Sequence, residues 1–172
     1  MDISEGTQIP WCRPGAWAEA NGSLAFALER HEGALAGLKA IAHRMHSDIL
    51  EMDALFTDLC ARTCPDCRDN CCRRATAWYD FRDLLYLHLS GRQPPPAQTL
   101  SHPRGFCRYF AADGCRLPRH LRPFICLWYV CGQQKALLNG LDERRARGLP
   151  DQLARLQRNR RRLEEMFVEL VL

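Results

Sequence analysis

The stretch that decides the fold is CPDCRDNCC at residues 64–72, and a second cysteine-rich stretch, CRYFAADGCRLPRHLRPFICLWYVC, follows at residues 107–131. We call them the first and the second cysteine box. The chain has 172 residues and ten cysteines, of which eight lie in these two boxes. This length and this clustering predict one small domain organised around a set of thiols.

The start of the chain has neither the basic segment nor the apolar run of a signal peptide, and no stretch reaches ~18 consecutive apolar residues. We therefore expect a cytoplasmic protein without a membrane span. In a reducing cytoplasm, clustered cysteines indicate metal ligands or redox groups rather than structural disulfides. In an oxidising compartment the disulfide interpretation would return.

The spacing of apolar residues predicts a mainly α-helical fold without strands. Apolar side chains three and four residues apart share one helix face over residues 24–59, where Gly33 and Gly37 suggest two helices rather than one. Asn21 or Ser23 is expected to cap the first of them. Further helices are predicted at residues 75–89, 124–138 and from the cap Asp151 onward.

The same pattern divides the chain into an irregular leader and one domain. Residues 1–22 are the leader, and residues 23–172 form a small helical metal-binding domain with its cysteine core at residues 60–131. Gly and Pro interrupt residues 101–123, which we expect to be ordered cysteine-rich loops wrapped around a metal site.

The first box has the spacing Cys-x2-Cys-x3-Cys-Cys. On a helix, Cys64, Cys67 and Cys71 would lie on one face, and Pro65 would suit the first turn of that helix. Cys72 would point about 100° away and serve another metal or partner.

The second box supplies four more candidate ligands from a separate segment, as in zinc ribbons, where two segments share one site. Gly114 allows a tight turn before one of them. The predicted metal ligands of the two boxes are Cys64, Cys67, Cys71, Cys72, Cys107, Cys115, Cys126 and Cys131.

Positive charge occupies the same part of the chain. Residues 60–131 carry eleven arginines, five aspartates and neither lysine nor glutamate, a charge of +6, whereas the whole chain carries +4. Two four-thiolate sites would bring a formal charge of about −4, which is costly to bury without compensation. We interpret the arginines as that compensation, and an ordinary solvated surface is the alternative.

The two boxes together resemble a known family, the cysteine-cluster proteins described as zinc- or iron-chelating domains. Its pattern is the first box, an aromatic-aliphatic helix, and then Cys, Gly-Cys, Arg-Pro-x-x-Cys and Cys. Here Gly114-Cys115 and Arg122-Pro123-Phe124-Ile125-Cys126 match the second half. In part of its cysteine pattern the chain is also similar to a flagellin lysine methylase, which implies a four-iron cluster and methyl transfer.

The resemblance favours an iron–sulfur cluster of the 4Fe-4S type in a redox or accessory role, with a redox enzyme or client protein as partner. The alternatives are a structural zinc module, a Cu(I)-handling protein and a radical-type enzyme. No nucleophile–base pair or phosphate-binding glycine loop identifies an enzyme, so whether the protein is one stays open.

Several other residues are weaker candidates. Cys60, Cys12, His43, His46, His102 and His120 are possible additional ligands, each set against an ordinary packing role. Trp128 and Tyr129 are expected to pack in the core. The basic run at residues 158–162 is followed by acids, which favours a solvated helix face and makes nucleic-acid binding an unfavoured reading.

Overall fold

The structure is a computed structural model that describes residues 9–65, 67, 77–101, 105–111, 114–140 and 148–172. This part of the chain is mainly helical, as predicted. Its helices are α1 (Ala16–Arg30), α2 (Ala36–Thr63), α3 (Phe81–Leu89), α4 (Ile125–Trp128), α5 (Gly132–Gly140) and α6 (Leu149–Val171).

The N-terminal region becomes helical earlier than predicted. Helix α1 begins at Ala16, so the irregular leader ends seven residues before residue 22, and neither Asn21 nor Ser23 is a cap. Gly15 starts the helix with a positive φ of 81°. The buried Trp17 then donates its indole N–H to the Pro95 carbonyl at 2.7 Å, which fixes the helix start by a tertiary contact.

The predicted division of residues 24–59 into two helices is confirmed. A 3₁₀ turn at Glu32–Ala34 separates α1 from α2. Helix α2 is the longest element, and its periodic apolar face is buried from Leu38 to Leu59. Because Pro65 lacks a backbone N–H, the helix ends before it, at Thr63.

Helix α3 is shorter than predicted but ends as predicted. A reciprocal capping box between Asp80 and Asp83 starts it at Phe81, and the described residues before it, 77–80, are not helical. At its other end Gly91 takes a positive φ of 69°, and the N–H of Arg92 turns back to the Leu87 carbonyl at 2.8 Å.

The predicted helix at residues 124–138 is instead two helices, α4 and α5, separated by Tyr129, which has extended backbone angles. A short antiparallel hairpin, absent from the sequence prediction, pairs β1 (Phe110–Ala111) with β2 (Gly114–Cys115). Helix α6 begins at Leu149 after Gly148, so Asp151 lies in its first turn and is not its cap.

The core lies between three helices. Helix α2 packs on α3 and α6, α3 also packs on α6, and α1 covers α3. Leu156 and Leu163 of α6 are completely buried there. None of the described helices is both long and apolar enough to cross a membrane. The cysteine-bearing segments 105–131 connect α3 to α5 beside this core.

Candidate metal centre

Three cysteines of the second box are held by three different pieces of local structure. Cys107 precedes the hairpin, Cys115 ends its second strand, and Cys126 lies in α4. Gly114, the first residue of β2, has a φ of 129°, which disfavours any residue with a Cβ. Cys126 donates its backbone N–H to the Pro123 carbonyl at 2.9 Å, which starts α4 directly after the proline.

These three thiols lie near enough to influence one another's ionisation. Burial first, and then the neighbouring Cys115 and Cys107, raise the pKa of Cys126 to about 12. Burial also raises the pKa of Cys107, with a smaller contribution from Cys115. Arg122 opposes the increase at both Cys126 and Cys107. The three partly buried thiols therefore lie within electrostatic range of one another, and Arg122 acts on two of them.

A fully buried tyrosine borders this group of thiols. The hydroxyl of Tyr79 donates to the Leu121 carbonyl at 2.5 Å, and its pKa is raised by burial first and also by Cys126 and Cys115. Tyr79 precedes α3, so the thiols sit against the side of the helical core. An apolar boundary of this kind limits access of water to a bound metal.

A buried ion pair supports the turn that carries Cys126. Asp83 accepts the backbone N–H of Phe124 at 3.1 Å and also pairs with Arg160 of α6 at 3.1 Å. Arg160 additionally donates to Asp80, and its guanidinium lies 4.9 Å from the centre of the Phe124 ring. The prediction of a wholly solvated basic face at residues 158–162 is wrong at Arg160, because the acids that pair with it belong to a distant part of the sequence.

The described residues of the first box, Cys64, Pro65 and Cys67, are not in a helix. Cys64 is the residue after the end of α2, and the N–H of Cys67 donates to the Cys64 carbonyl at 3.3 Å. Both cysteines are partly buried. Pro65 therefore follows the end of α2 and does not lie in the first turn of a new helix, where it was predicted. Cys71 and Cys72 lie outside the described residues, so the prediction that they are ligands stays a prediction.

The last cysteine of the second box is linked to α2. The backbone N–H of Cys131 donates to the side-chain oxygen of Gln134 at 3.3 Å. The amide nitrogen of Gln134 lies 3.6 Å from the Cys60 sulfur and 3.4 Å from the Thr63 hydroxyl. The sequence gave no reason to single out Gln134, since a lone glutamine on a polar helix has no recognisable pattern.

The histidine candidates are only partly brought together. The rings of His46 and His120 meet edge to face at 5.2 Å, and His46 Nδ1 lies 3.1 Å from the Tyr86 hydroxyl. Burial, followed by Arg92, lowers the pKa of both rings. His43 is exposed on α2, and His102 lies outside the described residues.

Two further predictions concern packing. Trp128 and Tyr129 contact each other but are 45% and 48% exposed, so the expectation that they fill the core is wrong. The tertiary reason is that Leu127, which precedes both of them, takes the buried position of α4. Cys12 packs with Cys107 against the small apolar cluster of Ile9 and Leu100, near the second box.

Among the residues that the structure describes, no three His, Cys, Asp or Glu side chains are arranged as a ready metal-binding group. The described thiols thus approach one another without converging on one point. Cysteine sulfur is nevertheless the donor that zinc and iron–sulfur clusters take, and neutral buried thiols must lose their protons before they bind either. The donor set fits such a group in its chemistry.

Comparison with known proteins adds no relative. A scan of protein-family models, a search of curated proteins and a search of solved structures each return no match. The resemblance to the cysteine-cluster family therefore stays a prediction from the residues of the two boxes.

Proposed function

We propose that this chain is a metal-binding protein that carries an iron–sulfur cluster in a redox or accessory role. The observation that carries the proposal is the approach of Cys107, Cys115 and Cys126 from three segments to one partly buried region. A four-iron cluster takes four cysteine thiolates, so the first box would provide the fourth ligand.

The surroundings of these thiols suit a negatively charged cluster. The positive charge of Arg122 acts on both Cys107 and Cys126, and its Nε–H donates to the Leu117 carbonyl at 2.9 Å. A guanidinium keeps its charge and offsets thiolate charge when the protons are lost. On the other side of the thiols lie the buried Tyr79 and the Asp83–Arg160 ion pair, which holds the Phe124 backbone. Both would limit the motion of this region and the access of water to a bound cluster.

When bound, a cluster of this type would accept and donate single electrons. The chain itself would hold the cluster, set its exposure and offset its charge. The exposed Trp128 and Tyr129, two and three residues beyond Cys126, provide a surface at which a redox partner or client protein could contact the region.

A structural zinc module is the second candidate. The contacts of Cys131 with Gln134, and of Gln134 with Cys60 of α2, favour two separate groups of thiols rather than one. Two tetrahedral zinc sites would use eight cysteines, and the fold would then depend on the metal.

One purification separates these two functions. The protein is purified without oxygen, its visible spectrum is recorded, and iron, sulfide and zinc are measured. A brown protein with iron and sulfide is expected. A colourless protein with about two zinc ions per chain would replace the cluster by the zinc module, and a metal-free folded protein would contradict both.

Single variants then test the ligands. Cys107→Ser, Cys115→Ser and Cys126→Ser should each lower the iron and sulfide content, because serine oxygen is a poor substitute for thiolate. Arg161→Ala, at an exposed position of α6 outside both boxes, is the control and should leave the iron content unchanged. Unchanged iron in all three box variants would refute the ligand assignment.

A further inference from the structure

Two histidine rings from distant parts of the chain meet beside α2. His46 belongs to α2 and His120 to the 3₁₀ turn Arg119–Leu121, and the centres of their rings are 5.2 Å apart, edge to face. Both residues are partly exposed, so a small molecule can reach them. His46 Nδ1 lies 3.1 Å from the hydroxyl of the buried Tyr86 of α3, which leaves the other ring nitrogen, Nε2, for a ligand. Because α2 packs on both α3 and the 3₁₀ turn, the fold holds these groups together.

A guanidinium stands beside the two rings. Arg92 is exposed and follows the glycine turn that ends α3, and its positive charge acts on both His46 and His120. Among the residues that the structure describes, no carboxylate forms an ion pair with Arg92 or with either ring. We call His46, Arg92 and His120 the basic cluster. It collects three groups that can carry positive charge and gives none of them a carboxylate of its own.

The other titratable groups around the basic cluster do not neutralise it. His43, one helical turn before His46 on α2, acts on that ring with the same sign as Arg92. Asp53, further along α2, is the acid that acts on His120, but it already accepts from the guanidinium of Arg119 at 3.0 Å. Its charge is therefore offset by the residue next to His120. Like charges held this close disfavour one another, and a bound anion would remove that cost.

From this arrangement we infer that the basic cluster is an anion-binding site, which takes the phosphate group of a small ligand. Imidazolium and guanidinium N–H groups are the charged donors that phosphate oxygens accept from most strongly. The two negative charges of a phosphate match the cluster better than the single charge of a carboxylate does. The positive charge of Arg92 at the same place disfavours a metal cation there. The inference goes beyond the proposed function and does not depend on which metal the thiols bind.

Calorimetric titration of the unaltered protein with inorganic phosphate tests the site. The titration is made at about pH 6, where histidine rings take up protons. We expect saturable binding of about one phosphate per chain. Glycerol phosphate is titrated in parallel, and tighter binding of this ester would identify an organic phosphate rather than the free ion as the ligand. Absence of saturable binding of either probe at millimolar concentrations would overturn the inference.

Two substitutions then locate the bound phosphate. Arg92→Gln removes the exposed guanidinium and His120→Gln removes one ring, so each should weaken phosphate binding roughly tenfold to a hundredfold. Arg161→Gln removes the same charge as Arg92→Gln from an exposed position of α6 and should change the affinity less than about twofold. Circular dichroism verifies that each variant is folded. Equal affinities of folded Arg92→Gln and Arg161→Gln would overturn the inference.

The pH dependence of binding provides a separate measurement. Burial first, and then Arg92, lower the pKa of His46 and of His120 below the ordinary 6.5. An anion favours the charged rings, so binding takes up protons, and the affinity should increase as the pH falls below 6.5. Sulfate is the probe, because it keeps both negative charges over this range whereas phosphate titrates. An affinity for sulfate that is the same at about pH 8 and about pH 5.5 would show that the rings take no part and would overturn the inference.

Discussion

Arg160 of α6 donates to the Asp83 carboxylate of α3 at 3.1 Å, with the two side chains only 10% and 8% exposed. This ion pair lies between the helical core and the segment that carries Cys126, because Asp83 also accepts the Phe124 N–H. Burial raises the pKa of Asp83 to about 6 despite the guanidinium, so the carboxyl is ionised at neutral pH. The pair therefore contributes to the stability of the core and, through Asp83, also holds the backbone of Phe124 in the second box.

Removing one member of this pair should be costly. Arg160→Ala leaves Asp83 buried without its cation, and we expect the free energy of unfolding to fall by about 3–5 kcal/mol. Denaturant unfolding monitored by circular dichroism measures the change. Arg161→Ala, at the exposed neighbouring position, should stay within about 0.5 kcal/mol of wild type. Equal midpoints for the two variants would contradict the role of Arg160.

Two glycines should respond in opposite ways to alanine. Gly22 lies inside α1 with open space around its Cα, so Gly22→Ala should stabilise the protein by roughly 0.5–1 kcal/mol. Gly91 has a positive φ of 69°, so Gly91→Ala should destabilise it by about 1–2 kcal/mol. Thermal unfolding of both variants provides the comparison, and a shift of the same sign in each would contradict the assignment of backbone angles.

A buried amide holds the chain before α3 in place. Gln98 accepts the N–H groups of Tyr79 (2.7 Å) and Thr99 (2.9 Å), and it donates to the carbonyls of Tyr79 and Pro10, each at 3.0 Å. Gln98→Leu leaves these buried groups unpaired and should lower the free energy of unfolding by about 3 kcal/mol or more. Gln157→Leu, at an exposed site on α6, is the control and should change it little. A loss no larger than that of the control would show that water replaces the amide.

His88 should make stability depend on pH. Burial lowers its pKa from the ordinary 6.5, and its Nε2 atom lies 2.9 Å from the Asn21 side-chain oxygen. The unfolded chain therefore takes up the proton first as the pH falls. The stability due to the neutral ring is complete above pH 6.5 and is lost as the pH falls through 6.5 toward the folded pKa.

The measurement for His88 is a difference between two proteins. Asp83 titrates in the same range with the opposite sign, because its raised pKa makes stability fall as the pH rises from 3.8 to about 6. The unfolding free energies of wild type and His88→Gln are therefore measured at several pH values. In the difference between them, the contribution of Asp83 cancels. We expect the two curves to approach each other as the pH decreases below 6.5. Parallel curves would show that His88 does not titrate differently on folding.

Local sequence signals predicted the helices well where a periodic apolar face is bounded by a helix-ending residue such as Gly or Pro. The apolar face of α2 and the glycine that ends α3 are examples. They failed at the start of α1, which begins at Ala16 inside the predicted irregular leader of residues 1–22. There the contact of Trp17 with Pro95, 78 residues away, extends the helix toward the N-terminus. Propensity is a weak influence beside a buried tertiary contact.

The candidate site was predictable only in its residue types. Sequence reasoning named the cysteines of the second box, and in the structure Cys115 and Cys107 both influence the ionisation of Cys126. Spacing also suggested a helix beginning at the first box, but of the described residues there, Cys64, Pro65 and Cys67, none is in a helix. Gln134 and Arg119 could not be found from the sequence, because each acts on Cys60 from a residue more than fifty positions away.

Composition and periodicity are local properties, so the sequence was sufficient to predict a mainly helical chain with most of its thiols and its surplus of positive charge in residues 60–131. Tertiary structure alone decided which thiols are neighbours, and which arginine of the basic run at residues 158–162 is buried. The physical reason is that these outcomes depend on side chains that meet across α2, α3, α5 and α6. Such contacts arise from the packing of whole helices and have no local signature.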